Sequence, residues 1–138
     1  MKEQNFNIIS DYGNVSEVNQ EIRKFLVNEN LEEHLCNAVE ICLTEALNNV
    51  IKHSYNGENS KTIDINVKKD SKFLEIKIVD FGLPRKNLVI KDLDFDPKDI
   101  DNLPESGMGL FIIKQLMDEL SYGSNEGKNY FILKKWLI

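Results

Sequence analysis

Thr44-Glu45-Ala46-Leu47-Asn48-Asn49-Val50-Ile51-Lys52-His53, residues 44–53, closes a long run of helical periodicity. Positions four apart on an α-helix lie about 40° apart around the axis, so Glu45 and Asn49 project side by side. Leu35, Val39, Leu43, Ala46, Leu47 and Val50 form a continuous apolar stripe, and the Glu45/Asn49 pair falls along one edge of it. A carboxylate and a carboxamide therefore share one spot at the border of a core. The pairing suits a general base beside a neutral oxygen ligand for a hard cation. The same E-x-x-x-N spacing also describes an ordinary polar helix edge, and the rest of the chain decides between the two.

Upstream, residues 4–10 read as a short strand with Phe6 and Ile8 on one face, and Asp11-Tyr12-Gly13 as a turn. Asn14 followed by Glu17 has capping-box spacing. Val15, Val18, Ile22, Phe25 and Leu26 then recur at helical intervals to about Asn28, and the long helix runs from about Glu32 to His53. Downstream, Tyr55 to Ser60 is rich in turn residues and reads as a surface loop. Residues 62–68 and 73–79 alternate apolar with polar and make a hairpin. From Phe81 to Ser106 the pattern dissolves, a length typical of a functional lid. Leu110, Ile113, Leu116, Met117 and Leu120 resume helical spacing, with Phe111 and Ile112 widening the apolar face. Residues 121–124 and 129–137 read as a second hairpin turning at Asn125-Glu126-Gly127-Lys128. Tight turns join most neighbouring strands. The expected fold is α+β: a two-layer sandwich, its mixed sheet mostly antiparallel, with helices on one face.

At 138 residues the chain is expected to form a single domain, residues 1–138. It has no signal-type apolar run and no stretch of membrane-spanning length, which points to a cytoplasmic protein without a membrane partner. Cys36 and Cys42 sit six apart on one helix and are expected to be buried, reduced thiols. His34 reads as an exposed helix residue. With 23 acidic against 17 basic residues the formal charge is −6, and no basic stripe is interleaved with aromatics. Direct binding of nucleic acid is disfavoured. An anionic ligand on such a protein calls for local devices: backbone N–H groups, a metal ion, a few placed cations.

Two further stretches carry such devices. Asp80-Phe81-Gly82-Leu83-Pro84 follows an apolar strand, where a buried carboxylate can read an exocyclic amine such as that of adenine and a glycine lets a ring approach the backbone. Ser106-Gly107-Met108-Gly109-Leu110 opens a helix, leaving N–H groups for phosphate oxygens at the positive end of the dipole. Neither is decisive alone, since strand-end turns and glycine-rich helix starts are common. It is neither a P-loop nor a dinucleotide fingerprint.

In order, E-x-x-x-N on a helix, D-x-G-x-P after a strand and G-x-G-L opening a helix resemble the N, G1 and G2 boxes of the GHKL ATPases of the Bergerat fold. LTEALNNVIKHSY, IVDFGLP, LPESGMGLFIIKQLMDELSY and GKNYFILKKWL are most similar to the bacterial anti-sigma factor serine/threonine kinases. The resemblance implies a histidine-kinase-like ATPase fold with an ATP lid at about residues 81–106. It implies Mg²⁺ on Asn49, with Glu45 as the catalytic carboxylate and Asp80 on the adenine amine. Gly82 would line the base and sugar pocket, and Gly107, Met108, Gly109 and Leu110 would form the turn around the phosphates. Lys52 is placed to reach a phosphate, although its position equally suits a surface cation; Asn48 is expected to be solvated. His53, two turns beyond Glu45 on the same side, is expected to be structural.

The implied activity is Mg-ATP-dependent phosphorylation of a STAS-type anti-anti-sigma protein on serine or threonine, alternating with sequestration of a sigma factor by a homodimer. The alternative is a module that binds ATP or ADP and sequesters a partner with little kinase activity. Two departures from the family pattern favour it slightly: Gly82-Leu83-Pro84-Arg85 in the G1 box, and Glu105 where some relatives carry a basic residue.

Overall fold

The computed structural model describes residues 1–84 and 108–137. In chain order the elements are β1 (Lys2–Ile9), α1 (Tyr12–Asn28), α2 (Glu33–Asn49), a π-turn (Val50–Ser54), β2 (Thr62–Lys69), β3 (Phe73–Asp80), α3 (Met108–Leu116), β4 (Glu119–Asn125) and β5 (Lys128–Trp136). The five strands form one sheet in the order β1-β2-β3-β5-β4. Every pairing among them is antiparallel, so among the described residues no parallel strand makes the sheet mixed.

Strand alternation decides which face is covered. Phe6, Ile8, Ile63, Ile65, Val67, Leu74, Ile76, Ile78, Phe131 and Leu133 are buried on one face, against Val18, Ile22, Leu43, Leu47, Leu110 and Ile113 of the helices. The expected two-layer architecture is thereby met. No helix among the described residues is long and apolar enough to cross a membrane.

Several boundaries differ from expectation. Asp11 is the N-cap of α1: its carboxylate accepts from the Gly13 N–H at 2.8 Å, and the helix begins inside the segment read as a turn. Asn14, read as the cap, instead donates to the Ile9 carbonyl at 3.0 Å. At the other end Asn30 takes a left-handed φ of 63°, and the Leu31 N–H returns to the Leu26 carbonyl at 3.0 Å. Leu120, read as the last helical position, belongs to β4 and faces Leu133. The Asp118 N–H bonds to the Lys134 carbonyl at 2.9 Å, so the sheet captures the chain just after α3. Leu120 meets the core from either element, because three-residue and two-residue periods coincide on a single apolar position.

α2 is packed by α1 on one side and α3 on the other. Across the first contact Asn19 donates to the Thr44 hydroxyl at 2.9 Å, and Thr44 donates to the Glu40 carbonyl at 2.9 Å. Arg23 adds bonds to Asn37 and Glu40. Asn19 is buried, so its bond sits where water does not compete, and it fixes the rotation of α2 one residue before Glu45.

Candidate functional site

The end of α2 does not continue as a regular helix to His53. Val50–Ser54 winds as a π-turn, with the Tyr55 N–H returning to the Val50 carbonyl at 3.2 Å. Single π-turns inside helices recur at functional sites. His53 is half-buried and Lys52 exposed.

Glu45 and Asn49 are both half-buried, consistent with a place at the border of the core. Asn48 is half-buried rather than solvated, because helices flank α2 on both sides and leave little of it open. Glu45 reaches the first turn of α3. A Cβ on Gly109 would lie 2.6 Å from Glu45 Oε2, so the glycine is what allows the carboxylate to sit there. Leu110 is buried in the core behind it. Of the G2 residues, Gly107 lies outside the described residues, and so do Ser106, Glu105, Arg85 and most of the expected lid. Met108 is placed only as the first residue of α3.

The other half of the site gathers where the π-turn meets the end of β3. Asp80 is 2% exposed. Its Oδ1 accepts from Asn129 Nδ2 at 2.7 Å and from the Gly82 N–H at 3.0 Å, while Oδ2 accepts from the Ser54 hydroxyl at 3.3 Å. Burial pushes the carboxyl above its usual range, and the three donors offset part of that shift. Gly82 packs against backbone: a Cβ there would lie 2.2 Å from the Ser54 carbonyl oxygen, and the Leu83 N–H bonds to that same oxygen at 2.9 Å.

Tyr55, read as part of a surface loop, is buried. Its hydroxyl donates to the Thr62 carbonyl at 2.6 Å and accepts from the Phe81 N–H at 2.8 Å, so one phenol satisfies the open backbone groups of two segments. Burial raises its pKa, against a lowering by the bond from Phe81. A cleft of about 550 Å³ adjoins this corner, lined by Tyr55, Lys61, Phe81 and Leu83 among others. It shares Ser54 and Gly82 with the site, but Glu45, Asn49 and Asp80 do not line it.

Ser54, Tyr55 and Asn129 are the residues that sequence reasoning missed. Asn129 had a signal. It stands two before Phe131 and four before Leu133 on an alternating strand, hence on the inward face, where a polar side chain needs a partner.

The site thus runs along one helix end, with a carboxylate at α3 on one side and a clamped, buried carboxylate on the other. A model of the histidine kinase-like ATPase domain matches residues 8–135. The chain belongs to this family. Among similar proteins, the serine-protein kinase RsbW of Bacillus velezensis is 30% identical over 100 residues, 64% of this chain and 58% of that protein. RsbW of Bacillus cereus is 32% identical over 100 residues, 70% of this chain and 61% of that protein. The chain therefore spans about three-fifths of the length of these relatives.

Solved structures show the same histidine kinase-like ATPase fold. The RsbU and RsbW domains of a Mycobacterium tuberculosis protein superpose with a TM-score of 0.69 over 98% of this chain and 32% of theirs, at 12% identity. The SiaB–SiaC complex of Pseudomonas aeruginosa gives 0.68 over 96% of this chain and 88% of the matched one, at 17% identity.

The described residues of this ATPase domain fit a nucleotide. Asp80 Oδ2 retains acceptor capacity in a buried setting. Glu45 and Asn49 supply hard oxygen donors of the kind Mg²⁺ takes.

Proposed function

We propose that the chain is a Mg-ATP-dependent serine/threonine protein kinase acting as an anti-sigma factor: a single ATPase domain, with an ATP lid at about residues 81–106, that phosphorylates a STAS-type anti-anti-sigma protein and sequesters a sigma factor. It works in the cytoplasm as a homodimer. The observation that carries the reading is the pairing of two unlike carboxylates on one helix end, Glu45 against α3 and Asp80 clamped at β3. The names of the RsbW relatives support the kinase assignment.

Each residue has a distinct task in this reading. Asp80 Oδ2 accepts the exocyclic amine of adenine, and Gly82 admits the base and sugar against backbone. Gly107, Met108, Gly109 and Leu110 form the turn that receives the phosphates, with the α3 N–H groups donating to their oxygens. Lys52, exposed on the π-turn, serves the same anion. Asn49 holds Mg²⁺ through its carboxamide oxygen; the ion neutralises phosphate charge when bound. Glu45 orients the partner's hydroxyl and takes its proton, a role open to a carboxylate that stays half-exposed. The phosphate added to the partner brings about two negative charges to the contact surface and releases it.

The test is incubation of the purified protein with labelled ATP, Mg²⁺ and a STAS-domain protein encoded beside it. Wild type is expected to label a partner serine or threonine, and Glu45→Ala and Asn49→Ala are expected to abolish labelling. Binding of nucleotide with no transfer by wild type would instead identify the sequestering module.

A further inference from the structure

Asp80 has two oxygens and about four lone-pair positions. Oδ1 uses both of its positions, one on Asn129 Nδ2 and one on the Gly82 N–H. Oδ2 takes only the Ser54 hydroxyl among the described residues, and at the longer distance of 3.3 Å. Asn129 is itself held. Its second amide hydrogen goes to the Gly82 carbonyl at 3.0 Å, and its own Oδ1 accepts from the Ser124 hydroxyl at 2.7 Å, directly across the β4–β5 ladder. Two acceptors on one side and a hydroxyl donor on the other leave a single orientation for the amide. At 2% exposure, water does not substitute for it.

Resting on the nucleotide reading above, we propose that Asn129 determines base specificity: by filling Asp80 Oδ1 it leaves a one-oxygen reader that accepts a single exocyclic amine, selecting adenine and rejecting guanine. A guanine base addresses a carboxylate through two adjacent donors, N1–H and the N2 amine. Both are satisfied only when both oxygens are open, as in the forked pairing of arginine with carboxylate. With Oδ1 occupied, the second guanine donor meets an oxygen whose lone pairs are spent and is buried without a partner. Adenine presents one donor group at N6 and meets one acceptor. The clamp therefore excludes guanine by a missing acceptor, which costs more than a missing contact on the surface.

Calorimetric titration with Mg-ATP, Mg-GTP and Mg-ITP tests this, since inosine keeps N1–H and lacks the N2 amine. Wild type is expected to bind ATP at least about a hundredfold tighter than GTP. ITP is expected to bind about tenfold tighter than GTP, because the N2 amine of guanine is buried without an acceptor and inosine has none. In Asn129→Ala the ATP-to-GTP ratio is expected to fall by about tenfold or more and GTP to become tighter than ITP. Ser124→Ala, which frees the amide while altering only an exposed side chain, is expected to move both ratios the same way by a smaller factor. GTP binding as tightly as ITP, or tighter, in wild type overturns the proposal without any substitution, and so does an unchanged ATP-to-GTP ratio in a folded Asn129→Ala. Failure of wild type to bind any of the three overturns the nucleotide reading itself.

Discussion

Replacing Asp80 by asparagine keeps the shape of the clamp and changes one atom of it. The asparagine oxygen accepts from Asn129 and the Gly82 N–H as before, and its amide donates to the Ser54 hydroxyl. What disappears is the acceptor facing the base. Asp80→Asn is expected to weaken ATP binding by roughly a hundredfold, as a donor then meets the donor on adenine. Its melting temperature at neutral pH is expected to equal or exceed that of wild type. Burial raises the Asp80 carboxyl above its reference value of 3.8. Between that value and the raised one, the folded protein holds a proton that the unfolded chain has released, so stability falls as pH rises through the window. Thermal scans should show wild type approaching Asp80→Asn as the pH is lowered from the raised value to 3.8, below which the carboxyl is neutral in both states. Asp80 stood out in the sequence because a charged residue ended an apolar strand. Its two side-chain donors, Ser54 and Asn129, did not, because hydrogen bonds between residues 26 and 49 positions apart leave no local spacing to read.

The two glycines of the site separate packing from chemistry at the level of the elements. Gly82→Ala drives a methyl into the Ser54 backbone, which belongs to the π-turn and cannot rotate away. Calorimetry is expected to show a loss of about 1–3 kcal/mol, together with weaker nucleotide binding. Gly109→Ala meets only the end of the Glu45 side chain, which can turn. Alanine also favours the helix by up to about 1 kcal/mol. An unchanged or slightly higher melting temperature is therefore expected, with phosphoryl transfer reduced by about a hundredfold because the carboxylate is displaced. Equal thermal losses in the two variants would show that Glu45 is wedged rather than resting against α3. The elements were legible wherever one period ran for several turns, as in α1, α2 and the β2–β3 hairpin. They were not legible where tertiary contacts chose the outcome: the π-turn, shaped by the β3 end it meets, and Leu120, claimed by β4. Asp11 was overlooked as a cap because its two successors also suit a turn, and the first turn of a helix is one.

For the molecule as a whole, the two cysteines report on opening. Both are buried and free, and burial pushes the Cys42 thiol up to about 12 and the Cys36 thiol above its usual value. A disulfide-exchange reagent at pH 8 is expected to leave Cys42 unmodified in the folded protein and to react with it at the rate of unfolding. Above pH 9 the unfolded thiol ionises while the folded one does not, so Cys42 lowers stability progressively as pH climbs toward 12. Prompt labelling at pH 8 without loss of structure would mean that α2 opens locally, which its packing between two helices argues against.

The strand order places β5 between β3 and β4, although β3 and β5 are separated in sequence by residues 81–127. The ring closed by that pairing includes all of residues 85–107, the greater part of the proposed ATP lid. The entropy of closing a ring grows only as the logarithm of its length, so doubling that segment costs about 0.6 kcal/mol. Evolution can therefore lengthen, shorten or rewrite that stretch of sequence almost without touching the stability of the sheet. The same topology sets the tempo of folding: the β1-β2-β3 meander assembles from neighbours, and the β4–β5 hairpin arrives as a unit whose docking along β3 is the slow, non-local event. Because Asn129 travels on that hairpin, the pocket gains its preference for one base only in this last step.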